Sequence, residues 1–276
     1  MRTKATFLKS AFFWLTLFFV LVAAPLVLAL VGHQEESRGF WIEFGVGLGF
    51  VGLAMMGLQF LLTARYSKIG FTFRAGQFVW VTLGNTPFKL QQHPFTISSS
   101  AEKKKIIRFT IKELGDFTSE ISTMEPGTTA FVEGPYGNFT LSESTATHNI
   151  FITGGIGITP AMSILNTLRD RRDRRKITLI FGTPNRELTP FFEELKVLSA
   201  ELNLEVVHVL EESDGDWDGE TGFITEEILK KYTPEDFTSC EYFICGPPLM
   251  MNAVEPVISG WGVPVHKIHS ERFNIV

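Results

Sequence analysis

Cysteine is scarce in this 276-residue sequence: only Cys240 and Cys245 are present. Two thiols cannot build a disulfide framework and cannot supply the four thiolates of an iron–sulfur cluster. No excess of basic charge exists either, since the formal net charge is −5 at pH 7. A reader of nucleic-acid backbone needs a basic face, so nucleic acid is not an expected partner. Histidine is limited to His33, His93, His148, His208, His266 and His269, and of these only His33 lies near a long apolar run. Bis-histidine haem ligation across a bilayer cannot be assembled from one such residue, and no haem is expected in this chain.

Charge is absent altogether from Ala11 to Gly32 and again from Phe44 to Thr63. Each run is long enough, at about 1.5 Å per helical residue, to cross roughly the 30 Å hydrocarbon core of a bilayer. His33, Glu35, Glu36, Arg38 and Glu43 separate the two runs, where charge would be costly inside lipid. Residues 1–66 therefore read as a two-helix transmembrane hairpin. Arg2, Lys4 and Lys9 before it and Arg65 and Lys68 after it place both ends in the cytoplasm by the positive-inside rule. The expected location is the inner (plasma) membrane, multi-pass, with the remaining domains cytoplasmic. A cleaved signal peptide is the rival reading of the first run; the second would then act as a stop-transfer segment.

Beyond Gly76 the pattern changes to short β-rich runs at Gln77–Leu83, His93–Ser99, Ile106–Lys112 and Thr129–Glu133, punctuated by turn residues. Residues 67–145 are thus expected to form a small antiparallel β-barrel. Two of its segments suit a flavin. His93-Pro94-Phe95-Thr96 sets an aromatic face beside a hydroxyl. Lys112-Glu113-Leu114-Gly115-Asp116-Phe117-Thr118 offers backbone N–H groups before a helix, with Thr118 available to cap it. Without further context, a strand-end histidine and a core aromatic are the default for His93 and Phe95, and an ordinary turn with an N-cap is the plain reading of Gly115 and Thr118.

From residue 146 to 276 strands and helices alternate, which predicts a doubly wound α/β domain around a parallel sheet. Ligands on such sheets bind beyond the carboxyl ends of the strands. At the first of these ends stands Gly154-Gly155-Ile156-Gly157-Ile158-Thr159-Pro160. Its glycines admit a phosphate close to the backbone, Thr159 is placed to cap the following helix, and Pro160 suits the first turn. Thr183, Asn185 and Arg186 follow the second strand, where an adenosine ribose would lie. Arg186 is equally a partner for a 2′-phosphate and an ordinary solvated side chain. Cys245-Gly246-Pro247-Pro248 ends a later strand, and a buried thiol packing as a small hydrophobe is the default for Cys245.

Taken in order, His93-Pro94-Phe95-Thr96, Gly115-Asp116-Phe117-Thr118, Gly154 to Pro160, Cys245-Gly246-Pro247-Pro248 and Glu271-Arg272-Phe273 resemble the ferredoxin-NADP reductase superfamily. The His-Pro-Phe-Thr form, with membrane attachment, looks most like its ferric reductase and NADPH oxidase branch, and the two apolar runs look like the first helices of a bacterial ferric-reductase-like membrane domain. The resemblance implies FAD and NAD(P)H as cofactors, with a lean to NADPH from Arg186. It implies that Phe95 stacks on the isoalloxazine, Thr96 approaches flavin N5, and His93, Pro94, Ser98, Lys112, Gly115, Phe117 and Thr118 surround the ribityl and pyrophosphate groups. Gly154, Gly155, Gly157, Ile158, Thr159 and Pro160 would bind the pyridine nucleotide, with Thr183 and Arg186 at its adenosine end. Cys245, Gly246, Pro247 and Glu271 would lie by the nicotinamide, and Phe273 over the second flavin face.

Two departures stand out. Asn274-Ile275-Val276 follow Phe273, where relatives often end on the aromatic. Between Thr63 and Phe73 the further haem-bearing helices and the first barrel strand have no counterpart. The expected activity is hydride transfer from NAD(P)H to FAD and onward electron transfer to an acceptor. The alternatives are a partner-dependent membrane subunit that docks to a separate haem protein, and a truncated remnant.

Overall fold

The computed structural model describes residues 45, 49, 52, 71–87, 91–103, 105–141, 146, 148–213 and 215–273. Gly45, Gly49 and Gly52 are helical. The remainder of the expected hairpin, 1–66, lies outside the described residues, and among those described no helix is long and apolar enough to cross a membrane. The chain divides into two compact units, Met1–Ile69 and Gly70–Val276. The second unit holds two sheets.

Its first part is a three-stranded antiparallel sheet. Strand β1 (Phe78–Leu83) lies in the middle, flanked by β2 (His93–Thr96) and β3 (Ala130–Tyr136). Between β2 and β3 runs the short helix α1 (Asp116–Ser122). Alternation along β1 separates its two faces. Val79 and Val81 are buried and pack with Ile97, Phe95, Phe109 and Val132, while Trp80 on the other face is 37% exposed. Of the small antiparallel barrel expected from the sequence, the described residues form this three-stranded sheet. The strand expected at Ile106–Lys112 is not formed: backbone pairing of that segment with its neighbour is limited, among the described residues, to one bridge, Ile97 to Phe109, and the Ser98 N–H donating to the Arg108 carbonyl. The alternating pattern of Ile107, Phe109 and Ile111 is real, but a ladder needs a partner strand of matching length, and Ile97–Ser98 supplies only two residues.

The second part is a six-stranded, wholly parallel sheet. In chain order its elements are β4 (His148–Gly154), α2 (Thr159–Arg171), β5 (Lys176–Thr183), α3 (Phe192–Glu201), β6 (Leu204–Leu210), β7 (Glu220–Thr221), α4 (Glu226–Tyr232), β8 (Glu241–Cys245), α5 (Pro248–Gly260) and β9 (Ile268–Glu271). The strands lie in the order β7-β6-β5-β4-β8-β9. Chain direction across the sheet therefore reverses between β4 and β8, which makes the gap beyond their carboxyl ends the topological switch point. All seven residues of β4 are buried, as expected for a central strand covered on both faces. Phe151, Leu179, Phe181 and Phe243 face α2 and α3, whereas Ile150, Ile152, Ile180, Tyr242 and Ile244 face α4 and α5.

Helix α2 departs from an amphipathic pattern. Every residue from Thr159 to Leu168 is buried. One side packs on the parallel sheet, and the other is covered by segment 99–101, which follows β2. The Ser163 hydroxyl donates to the Ser99 carbonyl at 2.9 Å, and the Ala101 N–H donates to Thr167 Oγ1 at 2.9 Å. Polar groups that would otherwise face water are thus satisfied across the boundary between the two sheets, at a net gain of roughly 1 kcal/mol each. Leu168 and Arg169 carbonyls receive the N–H groups of Asp173 and Arg172, closing the helix with Arg172 in the left-handed region at φ 56°.

Candidate active site

The glycine-rich turn leaves β4 at Gly154, makes one 3-10 turn over Gly155–Ile158 and enters α2. Gly155 has φ +52°, and a Cβ placed on it would meet nothing within 4 Å. Gly157 is the opposite case. A Cβ there would lie 2.7 Å from both the Gly246 Cα and the Cys245 carbonyl carbon. Gly154 is similarly closed, since its Cβ would stand 2.7 Å from Pro247 Cδ. The two loops of the switch point therefore pack backbone against backbone, which only glycine permits. Thr159 does not cap α2 as the sequence suggested. It lies inside the helix, its hydroxyl donates to the Ile156 carbonyl at 3.0 Å, and the N-cap position belongs to Ile158, which has no side-chain acceptor. The first-turn amides of α2 thus carry no side-chain cap, the condition under which an anion is favoured there. Pro160 stands in that first turn, as expected.

Register across the sheet puts Thr153, Cys245 and Glu271 in one row at the carboxyl ends of β4, β8 and β9. Burial, with Glu271 nearby, pushes the Cys245 thiol well above its ordinary range, so it is neutral and packs rather than attacks. Burial also lifts the Glu271 carboxyl to about 7. Its Oε2 is buried with no hydrogen-bond partner among the described residues. Its Oε1 would be 2.8 Å from a Cβ on Gly137, so the carboxyl reaches the end of the antiparallel sheet. Beside it a cleft of about 230 Å³ is lined by Asn138, Phe139, Ile268, His269 and Ser270. Phe273 sets its ring edge-on to Phe78, with centroids 5.9 Å apart, and Phe78 stands opposite Thr96 in the β1–β2 register. Thr96, Phe273, Glu271 and Cys245, distant in sequence, are thereby brought to one place.

His93, Phe95 and Phe117 form a second group. The His93 and Phe117 rings stack at 3.8 Å, and Phe95 lies 6.3 Å from Phe117. Phe95 stands opposite Val79 and joins the Val79, Val81 and Ile97 cluster, so it is on the face of the sheet opposite Phe78 and Phe273. The structure therefore does not bring Phe95 and Phe273 together as two covers of one ring. Pro94 shares the Trp80 face. Ser98 is buried, with its hydroxyl bound to the Arg108 carbonyl and to Thr110 Oγ1, both at 3.1 Å. Thr118 sits within α1 rather than at its cap, accepting from the Leu114 N–H at 2.8 Å and donating to the Gly115 carbonyl at 3.0 Å. Both hydroxyls hold loop backbone. Gly115, at φ +146° with open space at its Cβ position, and exposed Lys112 remain available to a ligand.

At the adenosine end, Thr183 is buried and its hydroxyl meets Thr189 Oγ1 at 2.7 Å, while Asn185 Oδ1 accepts the Leu188 N–H at 2.9 Å. Arg186 lies over the Phe192 ring at 5.1 Å, and Lys196 over the same ring at 4.6 Å. Phe192 escaped sequence reasoning because it reads as an ordinary apolar helix residue. The two flanking cations were the available signal.

An FAD and a pyridine nucleotide fit these residues on two observations: a buried carboxylate oxygen without a partner among the described residues at the junction of the two sheets, and open space at the Cβ positions of Gly115, on the flavin side, and Gly155, on the nucleotide side. Comparison with known proteins agrees. Residues 55–140 match an FAD-binding domain family and residues 151–256 an oxidoreductase NAD-binding domain family. The chain is 30% identical over 208 residues to a subunit of the Na(+)-translocating NADH-quinone reductase of Histophilus somni, covering 67% of this chain and 50% of that protein. It is 31% identical over 170 residues to NADH-cytochrome b5 reductase 1 of Aspergillus fumigatus, covering 58% of this chain and 55% of that one. The chain thus spans about half the length of the curated relatives it matches. In fold it is similar to the cytochrome b5 reductase domain of Ulva prolifera nitrate reductase, with a TM-score of 0.64 at 17% identity over 72% of this chain and 85% of that one. A flavohem-like FAD/NAD-binding domain of nitric oxide dioxygenase from Vibrio cholerae gives a TM-score of 0.63 at 18% identity, over 74% and 86% of the two chains. An FAD-binding domain followed by an oxidoreductase NAD-binding domain, on an antiparallel sheet joined to a parallel α/β sheet, places this chain in the ferredoxin-NADP reductase superfamily of FAD- and pyridine-nucleotide-dependent oxidoreductases.

Proposed function

We propose that this chain is a membrane-anchored reductase that takes hydride from NAD(P)H onto FAD and passes electrons to an acceptor, in the manner of ferric reductases and NADPH oxidases. The observation that carries the site is the convergence of Thr96, Glu271 and Phe273 beside the Gly154–Gly157 and Cys245–Pro247 loops. Bound FAD would supply the redox chemistry. The chain's own residues bind and orient. His93, Phe117, Gly115 and Lys112 surround the flavin's polar tail, Gly155 and the uncapped start of α2 receive the nucleotide's pyrophosphate, and Thr96 and Glu271 border the reacting rings. The neutral Cys245 thiol fills space behind the nicotinamide without competing as a nucleophile. The anchoring rests on the two uncharged runs and on the basic residues that bracket them.

The visible spectrum of detergent-purified protein with added FAD tests the reading. Retained flavin bands that bleach on anaerobic addition of NADPH are the expected result; a protein that retains FAD but does not bleach with either nucleotide is a binding subunit, not a reductase.

Arg186 carries the choice of nucleotide. The guanidinium rests on Phe192 at the end of the second strand, where a 2′-phosphate would pair with it, although the named relatives are NADH reductases. Arg186→Ala is expected to raise KM for NADPH by roughly tenfold, the worth of one charge-assisted pair, and to leave KM for NADH within about twofold. Equal effects on the two nucleotides would remove the lean to NADPH.

A further inference from the structure

Ten of the 25 Lys and Arg residues of this acidic chain fall within two short segments, 102–108 and 169–176, which contain only three carboxylates. The segments are 60 residues apart in sequence, yet the fold fastens them together. Ala101 donates to Thr167, Ser163 donates to Ser99, and Arg171 Nε bonds Glu102 Oε1 at 2.7 Å. The carboxylates are all engaged: Glu102 by Arg171, Asp170 by Arg169 and Asp173 by Arg175. Lys103, Lys105, Arg108, Arg172 and Arg174 are exposed and have no ion pair among the described residues. Arg172 occupies the left-handed position that closes α2, where glycine would be the unstrained choice. In the midst of these cations Ile106 is 66% exposed, presented by successive turns in which Lys103 donates to Ser100 and Ile106 to Lys103.

Gathering unpaired like charges on one rigid surface raises the energy of the isolated protein through mutual repulsion. An aliphatic side chain left largely exposed among lysines adds to that cost. Both features are relieved by an anionic bilayer, whose headgroups neutralise the cations and whose acyl boundary receives the isoleucine. An acidic protein would neutralise the charge equally well, but the exposed Ile106 and the two uncharged runs of the same chain favour lipid. We propose that the surface formed by Lys103, Lys105, Ile106, Arg108, Arg172 and Arg174 docks on anionic phospholipid. The surface is separate from the residues assigned to flavin and nucleotide, and it gives the membrane-anchoring reading a second point of contact.

The test uses the full chain in nanodiscs of phosphatidylcholine alone or mixed with phosphatidylglycerol, with lysine acylation read residue by residue by mass spectrometry. Lys103 and Lys105 are expected to be protected about tenfold or more in the anionic discs, Lys230 on α4 to be unaffected, and high salt to abolish the difference. Ile106→Ser with Arg172→Glu and Arg174→Glu should remove the protection while FAD content stays at the wild-type level, since each paired cation contributes about a fivefold factor. Equal labelling in the two lipids would overturn the proposal. So would protection that arises only when an acidic protein is added, which would assign the surface to a protein partner. Anchoring is read separately, by whether the chain elutes with the uncharged discs: labelling contrast without such elution retains the docking surface and discards the anchor.

Discussion

Gly157→Ala is expected to lower nicotinamide-dependent flavin reduction by about a hundredfold or more while leaving FAD bound. The added methyl would overlap the Cys245 carbonyl group and the Gly246 Cα. Both belong to backbone, Cys245 fixed in register by the β4–β8 ladder and Gly246 following it directly, so neither yields as a flexible side chain would. Relief requires the loops of the switch point to part, and both loops are assigned to the nucleotide. Displacements of about 1 Å in such a site cost about a hundredfold in rate. Stopped-flow reduction of the flavin checks the rate, and flavin content of the purified variant checks that the other domain is intact. Gly157→Asp should be worse still, because it adds a negative charge where a pyrophosphate would bind. Gly155→Ala is the informative contrast: it meets no atom within 4 Å, so its cost is confined to the positive φ, about 1–2 kcal/mol. Undiminished reduction in Gly157→Ala would show that the nucleotide binds elsewhere.

Glu271→Gln should remove a pH dependence of stability that the wild-type protein carries. The folded carboxyl titrates at about 7 and the unfolded one near its ordinary value of 4.5. Below 4.5 both states are protonated. Between 4.5 and about 7 the folded state holds a proton that the unfolded state has released, so this group's contribution to stability falls as pH rises. Above about 7 both are ionised and the loss is complete, at most about 3 kcal/mol. Asp173 acts in the opposite sense, because its hydrogen bond to Arg175 holds its carboxyl below the usual range. The difference between wild type and Glu271→Gln is therefore the readable quantity, obtained from urea unfolding at several pH values. A difference that stays constant from acid to neutral pH would place the Glu271 carboxyl in water.

Much of the candidate site was legible in the sequence because the chemistry proposed for it is carried by backbone. Gly154, Gly155 and Gly157 after an apolar strand, and Cys245-Gly246-Pro247 after another, announce strand ends that a phosphate can approach. The alternation of strands and helices from 146 onward places those ends on one edge of a parallel sheet. Less legible were hydroxyls and rings, whose roles depend on what lies opposite. Thr118, Ser98 and Thr159 read as ligand or cap donors, yet each is occupied by a neighbouring backbone carbonyl, because a hydroxyl bonds the nearest partner the fold provides. Phe95 reads as a flavin cover, but the pairing of β1 with β2 turns it toward Val79 and Ile97.

By itself the sequence determined the α/β pattern, the glycine-rich turn that follows the first strand of the parallel sheet, and the family. Those rest on composition, on local spacing and on the order of the motifs. Tertiary structure alone decided the rest. Strand order put Thr153, Cys245 and Glu271 in one row, packing between the two sheets buried Thr159 to Leu168 of α2, and the bond from Arg171 to Glu102 joined two basic segments distant in sequence. The reason is physical: register, burial and the pKa of a carboxyl such as Glu271 are set by which distant segments are brought into contact, and periodicity along a single segment carries no record of its partner.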